Sequence, residues 1–329
     1  MDLSQLNTLR KVSFCFETLN NSCVKTIYAP AIRTPLYIFC ALTIILIVCG
    51  NLLVICCIAS FQRLHTPTNY LILSLAVSDL LLGAFVMPPG LVRSLETCWY
   101  FGDFFCMFHS SADFSLCNAS ILHLTFISID RYYAVCKPLE YQTKFNNWVS
   151  LAMIAMSWTL SIVFGFAITF SDLRIEGKKD LHVNCKGSCL AMHGREIGVG
   201  YSIIFYFIPV TIIISIYTKI FFIAQKHAKV IHSITLKVNI NKMAAGKLDM
   251  KATKTLAVVI GVFLSCWTPF FMCNITDPLV GHSIPPLLYE ILMWLAYLNS
   301  MFNPVIYALS YSWFRDASKT LWNKLFNQI

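Results

Sequence analysis

Seven apolar stretches constrain this chain more than any other feature. Each is long enough to cross about 30 Å of hydrocarbon as a helix. They fall at roughly 35–59, 68–92, 104–135, 148–170, 198–224, 255–276 and 287–310. The chain is 57% hydrophobic and 12% charged, whereas soluble domains carry about 25% charged residues. The predicted fold class is an all-α membrane protein: a seven-transmembrane helix bundle with a short amphipathic C-terminal helix. Its divisions are an extracellular N-terminal segment at 1–34, the seven-helix domain at 35–310, and a cytoplasmic amphipathic helix and tail at 311–329. In the last of these, Phe314, Ala317, Leu321 and Leu325 stand among polar residues, the pattern of a helix lying on a membrane.

Basic residues orient the bundle. With the N-terminus outside, 15 of the 25 Lys and Arg residues fall on the cytoplasmic side against four acids, and ten bases with ten acids fall outside. Positive charge on the inner side is the expected bias. The net charge of +9 is therefore a topology signal, and nucleic-acid binding is not expected. The first 33 residues are polar and lack the apolar core of a cleavable signal, so the first span is expected to direct insertion. Six of the 14 cysteines fall outside: Cys15, Cys23, Cys98, Cys106, Cys185 and Cys189. An even number in an oxidising compartment predicts up to three disulfides, with pairings left open. Asn20-Asn21-Ser22 is a glycosylation sequon on the same side.

Asp113 is a carboxylate inside the third apolar stretch, and Asp130-Arg131-Tyr132 closes that stretch. Asp130 stands seventeen positions after Asp113, which corresponds to about 25 Å of helix axis. One acid therefore lies toward the outer face and the other at the inner face. An ionisable group in a membrane helix costs roughly 2.5–3.5 kcal/mol on insertion scales, which marks it as functional. The outer halves of the spans, with the bounds above, offer no Lys or Arg to pair with Asp113; the imidazoles of His109 and His123 are the nearest candidates. A primary ammonium supplies a charge and three donors, so the expected partner is a cationic ligand from outside. Pro88 and Pro89, Pro209, Pro269 and Pro304 interrupt later spans, and the kinks suit a bundle that changes shape.

These residues fall into a pattern. Gly50-Asn51, Leu75-Ala76-Val77-Ser78-Asp79, Cys106 with Asp130-Arg131-Tyr132, Trp158, Pro209 with Tyr217, Cys266-Trp267-Thr268-Pro269 and Asn303-Pro304-Val305-Ile306-Tyr307 mark the seven helices in turn. Together the sequence resembles the rhodopsin-like G-protein-coupled receptors. The run Asn299-Ser300-Met301-Phe302-Asn303-Pro304-Val305-Ile306-Tyr307-Ala308-Leu309-Ser310-Tyr311-Ser312-Trp313-Phe314 resembles the signature of trace amine-associated receptors.

The resemblance implies a ligand site at Asp113 with Phe114, Ser202, Trp267, Phe270, Phe271, Trp294 and Tyr297, with Tyr297 hydrogen-bonding the carboxylate. The bland alternative for the aromatic residues is ordinary packing. In the fifth helix, Gly200-Tyr201-Ser202-Ile203-Ile204-Phe205 holds one serine and no acid where catecholamine receptors have serines and diamine-sensing relatives have an acid. A monoamine with an apolar or aromatic body is expected. The resemblance also implies a Cys106–Cys189 disulfide, and a link from the N-terminal segment through Cys23 or Cys15 to Cys185, with Cys98 taking the other. Asp79, Ser120, Asn299 and Asn303 resemble the sodium site of the class, the alternative being a water-filled polar network without an ion. Arg131, paired with Asp130 and with Asp249 of the sixth helix, resembles the inner activation switch, to which Tyr132, Tyr217 and Tyr307 belong.

The expected protein is a multi-pass plasma-membrane receptor, with its C-terminus in the cytoplasm and lipid around it. Its partners would be a small cationic amine and a heterotrimeric G protein of the stimulatory, cyclic-AMP-raising class. A receptor for another biogenic amine such as serotonin is the alternative. A transporter would need paired intramembrane charges and inverted repeats, which the sequence does not show. No metal cluster, phosphate loop or activated nucleophile points to an enzyme, and no cofactor is expected beyond the sodium ion.

Overall fold

The computed structural model describes residues 13–175, 185–189, 195–237, 243–281 and 283–326. Among the described residues, seven helices are long and apolar enough to cross a membrane: Pro30–Ser60, Pro67–Glu96, Asp103–Cys136, Asn147–Phe170, Ile197–Ile223, Val258–Asp277 and Pro286–Leu309. Several start where sequence chemistry favours a start. Pro67 opens the second span behind Thr66, whose hydroxyl accepts the Asn69 amide, and Pro286 opens the seventh. Proline fits a first turn because its missing N–H has no partner there in any case.

The third span is the axis of the bundle. Its most apolar window is 67% buried, against 22% for the fourth, which leaves an apolar face outward as lipid contact requires. Gly165 on the fourth span permits the close approach of these two helices: a Cβ there would lie 3.0 Å from the Ser111 carbonyl. The main core gathers Leu116, Ile121, Tyr201, Phe205, Trp267 and Phe271 from the third, fifth and sixth spans. A second core joins Val54, Cys57 and Tyr307 to Phe314 and Ala317 of the terminal helix, Ser312–Phe326. Those two residues belong to the apolar stripe seen in the sequence.

Proline and helix geometry combine in two places. A π-helical turn at Leu82–Val86 precedes Pro88, and another at Ile203–Phe207 precedes Pro209. Such bulges rotate the following turns and occur at functional sites.

One end of the bundle is covalently laced. Strands β1 (Ser13–Phe14) and β2 (Val24–Lys25) pair antiparallel. Around them run Cys15–Cys98, Cys23–Cys185 and Cys106–Cys189. The Cys23 amide donates to the Lys186 carbonyl at 3.0 Å, and the Trp99 amide to the Gly187 carbonyl at 2.8 Å. Gly187 has φ +102° and lies against the Cys15 side chain, so only glycine fits without strain. Lys25 and Arg33 both pair with Glu96, at 2.8 and 2.7 Å. The hydrogen bond that Lys25 donates to Glu96 holds its ammonium above its ordinary range, so this clamp is charged at neutral pH.

The helices depart from the sequence reading in three respects. The first helix starts at Pro30 and absorbs Pro35. The second continues to Glu96, which carries Arg93 inside it. A short helix, Pro138–Lys144, follows the third span and was not anticipated.

Candidate ligand site and conformational switches

Asp113 is buried on the third span. Its Oδ2 accepts a hydrogen bond from the Tyr297 hydroxyl at 2.8 Å, and its Oδ1 accepts one from Cys117 Sγ at 3.5 Å. Both partners are neutral. Among the described residues, no Lys, Arg or His lies within 4.0 Å of the carboxylate as an ion-pair partner. His109 is turned to the Val86 carbonyl, and His123 to Ser74 and the Ala119 carbonyl. Neither imidazole named in the sequence reading serves Asp113.

Aromatic residues converge beside this carboxylate. Phe271 is fully buried. It stacks on Tyr206 at 4.4 Å and lies 5.8 Å from Trp267, 5.4 Å from Phe270 and 6.0 Å from Tyr201. Phe114 meets Tyr201 edge-on at 5.5 Å. Trp294 meets Tyr297 edge-on at 5.8 Å. Seven of the eight sequence-predicted ligand residues thus lie in or against one core with Asp113 among them or bonded to it. Tyr201, Phe205 and Tyr206 join them without having been singled out. Their signal was present: Tyr201 and Phe205 are four apart, on one helix face.

Ser202 is arranged differently. Its hydroxyl donates to the Gly198 carbonyl at 2.8 Å and accepts from Asn274 Nδ2 at 2.9 Å. It links the fifth and sixth spans, and its one donor is already engaged. Tyr201 donates to Asn118 Oδ1 at 2.7 Å, closing the third span against the fifth.

Deeper in the bundle, Asp79 is fully buried and accepts three hydrogen bonds: from Ser120 at 3.1 Å, Ser300 at 2.7 Å and Asn303 Nδ2 at 2.7 Å. Ser300, not Asn299, is the third partner. Asn299 Nδ2 is buried with no hydrogen-bond partner among the described residues. The two serine hydroxyl oxygens and the carboxylate give a cluster of hard oxygens that fits a small monovalent cation. Asn303 meets Asp79 through nitrogen, so it orients the carboxylate.

At the opposite end, Arg131 forks onto Asp130 Oδ2 through Nε at 2.9 Å and Nη2 at 2.6 Å. Thr68 donates to the same oxygen at 2.8 Å, Tyr141 donates to Oδ1 at 2.9 Å, and Arg131 also donates to Thr68. The sequence did not single out Thr68 or Tyr141. The Asp249 side chain lies outside the described residues, and so does its pairing with Arg131. Tyr217 accepts from Ser128 at 3.3 Å, and the buried Tyr307 hydroxyl has no partner among the described residues. Tyr132 receives the Lys219 ammonium over its ring at 6.0 Å.

The disulfides resolve what the sequence left open, since Cys23 takes Cys185 and Cys15 takes Cys98. Asn20 is exposed on the same end. Two further sequon matches, Asn118-Ala119-Ser120 and Asn274-Ile275-Thr276, lie within spans, where Asn118 is bonded to Tyr201 and Asn274 to Ser202.

Arg93 does occupy a span, and its Nε lies 3.1 Å from Glu290 Oε1 of the seventh helix. A bound placed at residue 92 had left this cation outside the bundle.

Residues 50–307 match the 7 transmembrane receptor (rhodopsin family) family. Trace amine-associated receptor 1 of Macaca mulatta is 45% identical over 324 residues, covering 96% of both chains. Trace amine-associated receptor 1 of Homo sapiens is also 45% identical, covering 96% of this chain and 95% of the relative. Trace amine-associated receptor 4 of Mus musculus is 43% identical over 317 residues, covering 94% and 91%. With its seven spans and with such likeness over nearly its whole length, the chain is a multi-pass membrane receptor, not an enzyme, and belongs to the trace amine-associated receptors of the rhodopsin family.

Proposed function

We propose that this protein is a plasma-membrane receptor for small monoamines with an apolar or aromatic body. Its N-terminus faces outside and its C-terminus the cytoplasm, where it engages a heterotrimeric G protein of the stimulatory class and raises cyclic AMP. The relatives, trace amine-associated receptors 1 and 4, support an amine ligand. The observation that carries the reading is Asp113. It is a buried carboxylate held by two neutral donors, with no ion-pair partner among the described residues. An ammonium supplies the missing charge, and a poorly hydrated setting makes that pair strong. Phe114, Trp267, Phe270, Phe271, Trp294 and Tyr297 offer ring faces and edges to the rest of such a ligand. Ser202 gives its one hydroxyl proton to the Gly198 carbonyl and accepts from Asn274, which does not favour donation to a catechol. Binding would act on the Pro269-kinked sixth helix and, through the Asp79 cluster with its sodium ion, on the Arg131 end.

The test is a panel of phenylethyl-type and alkyl monoamines, catecholamines, serotonin, histamine and diamines, read by a cyclic-AMP reporter in cells expressing the receptor, beside Asp113→Asn. Monoamine responses that vanish in the surface-expressed variant are expected. Full monoamine potency in Asp113→Asn overturns the site. A response to serotonin alone moves the ligand class.

A further inference from the structure

Arg93 and Glu290 form a charged pair among apolar surroundings, toward the disulfide-laced end of the bundle from Asp113. The Arg93 and Glu290 side chains are 15% and 16% exposed. Glu290 is doubly held: Oε1 takes Arg93, and Oε2 takes the Ser94 hydroxyl, which also accepts Trp294 Nε1 at 3.0 Å. Trp294 packs edge-on against Tyr297, and Tyr297 bonds Asp113. A single chain of contacts therefore joins the pair to the amine site, and Arg93 lies within electrostatic reach of both Asp113 and Tyr297. Glu290, Trp294 and Tyr297 stand at i, i+4 and i+7, one face of the seventh helix, so Glu290 is about 10 Å along the axis from Tyr297.

We propose that Arg93 and Glu290 act as a charge filter that lets the site accept one cationic nitrogen and reject a second. The inference rests on the monoamine reading above and names the residues that enforce it. Asp113 and Glu290 are two carboxylates on one route, spaced as the two nitrogens of an extended α,ω-diamine could be. Arg93 cancels the outer one and occupies its oxygen. One ammonium at Asp113 then leaves the route neutral. A second ammonium meets a carboxylate already bonded to a guanidinium and the positive charge of Arg93 itself. The fifth span lacks an acid, but the bundle does not: the second acid is in the seventh span, masked by an arginine of the second.

The experiment measures potencies of a phenylethyl-type monoamine and of α,ω-diamines of increasing chain length on surface-quantified Arg93→Gln, Glu290→Gln and the double variant. Unit charges about 10 Å apart at an effective dielectric of about 20 interact strongly enough to move potency on the order of ten-fold. Arg93→Gln is therefore expected to raise potency for a long diamine about ten-fold relative to the monoamine, and adding Glu290→Gln is expected to remove that gain. Glu290→Gln alone leaves Arg93 uncompensated and is expected to weaken the monoamine about ten-fold; this arm decides if Arg93→Gln does not reach the surface. An unchanged diamine-to-monoamine ratio in Arg93→Gln overturns the filter. So does a gain that persists in the double variant, or unchanged monoamine potency in Glu290→Gln. A wild-type receptor silent to every monoamine overturns the receptor reading first, and a wild type that answers monoamines with no filter effect sinks this inference alone.

Discussion

Tyr297 donates its hydroxyl to Asp113 Oδ2 at 2.8 Å, tying the seventh span to the third at the buried carboxylate. A hydrogen bond to a charged group contributes about 1.5–3 kcal/mol. Tyr297→Phe keeps the ring against Trp294 and removes only this bond. Amine potency is expected to fall about 10- to 100-fold, measured by the cyclic-AMP response at matched surface expression. Unchanged potency would show that the hydroxyl does not orient the carboxylate for ligand.

The Asp79 cluster separates Ser300 from Asn299. Ser300 bonds the carboxylate at 2.7 Å, while Asn299 Nδ2 has no partner among the described residues. If sodium occupies the cluster, amine affinity in membranes falls as sodium rises, and Asp79→Asn removes that dependence. Ser300→Ala is expected to weaken the sodium effect more than Asn299→Ala. The reverse order would place the ion against Asn299.

The lacing of the N-terminal segment predicts a pairing pattern. Cys15 joins Cys98 and Cys23 joins Cys185, over sequence separations of 83 and 162 residues. Peptide mapping without reduction is expected to recover these two links beside Cys106–Cys189. Cys23→Ser and Cys185→Ser should lower thermal stability equally, and the double variant no further, since loss of a native disulfide costs about 2–5 kcal/mol. Additive losses would reject the pairing.

Thr68 is shared by Asp130 and Arg131. Removing its hydroxyl loosens the acid–arginine fork at that end. With about 0.5–1 kcal/mol lost per net hydrogen bond, Thr68→Ala is expected to raise ligand-free signalling about two- to five-fold. Asp249→Lys tests the second lock, whose side chain lies beyond the described residues. It too is expected to raise basal cyclic AMP, and an unchanged basal level counts against that lock.

The reach of the sequence varied with the kind of contact. Asp113, Asp79 and Asp130 were conspicuous because a carboxylate in an apolar helix is costly wherever its helix ends up. Their neutral partners were less so. Ser300 sits one residue from the expected Asn299, and on a helix one residue turns a side chain by about 100°. Thr68 and Tyr141 lie in other elements altogether, and nothing in their local pattern marks them. Arg93 was missed because a hydropathy window ends where the first charges appear, whereas the helix runs on to Glu96 and finds Glu290 across the bundle.

Composition and periodicity by themselves determined seven membrane-length helices, the amphipathic terminal helix and the positions of the buried acids, because burial of apolar surface and the cost of bare charge act residue by residue. Tertiary structure alone decided which cysteine joins which, that Ser202 faces Asn274, and that a second-span arginine covers a seventh-span acid. Those are properties of pairs far apart in the chain, fixed only when the helices rotate and close against one another.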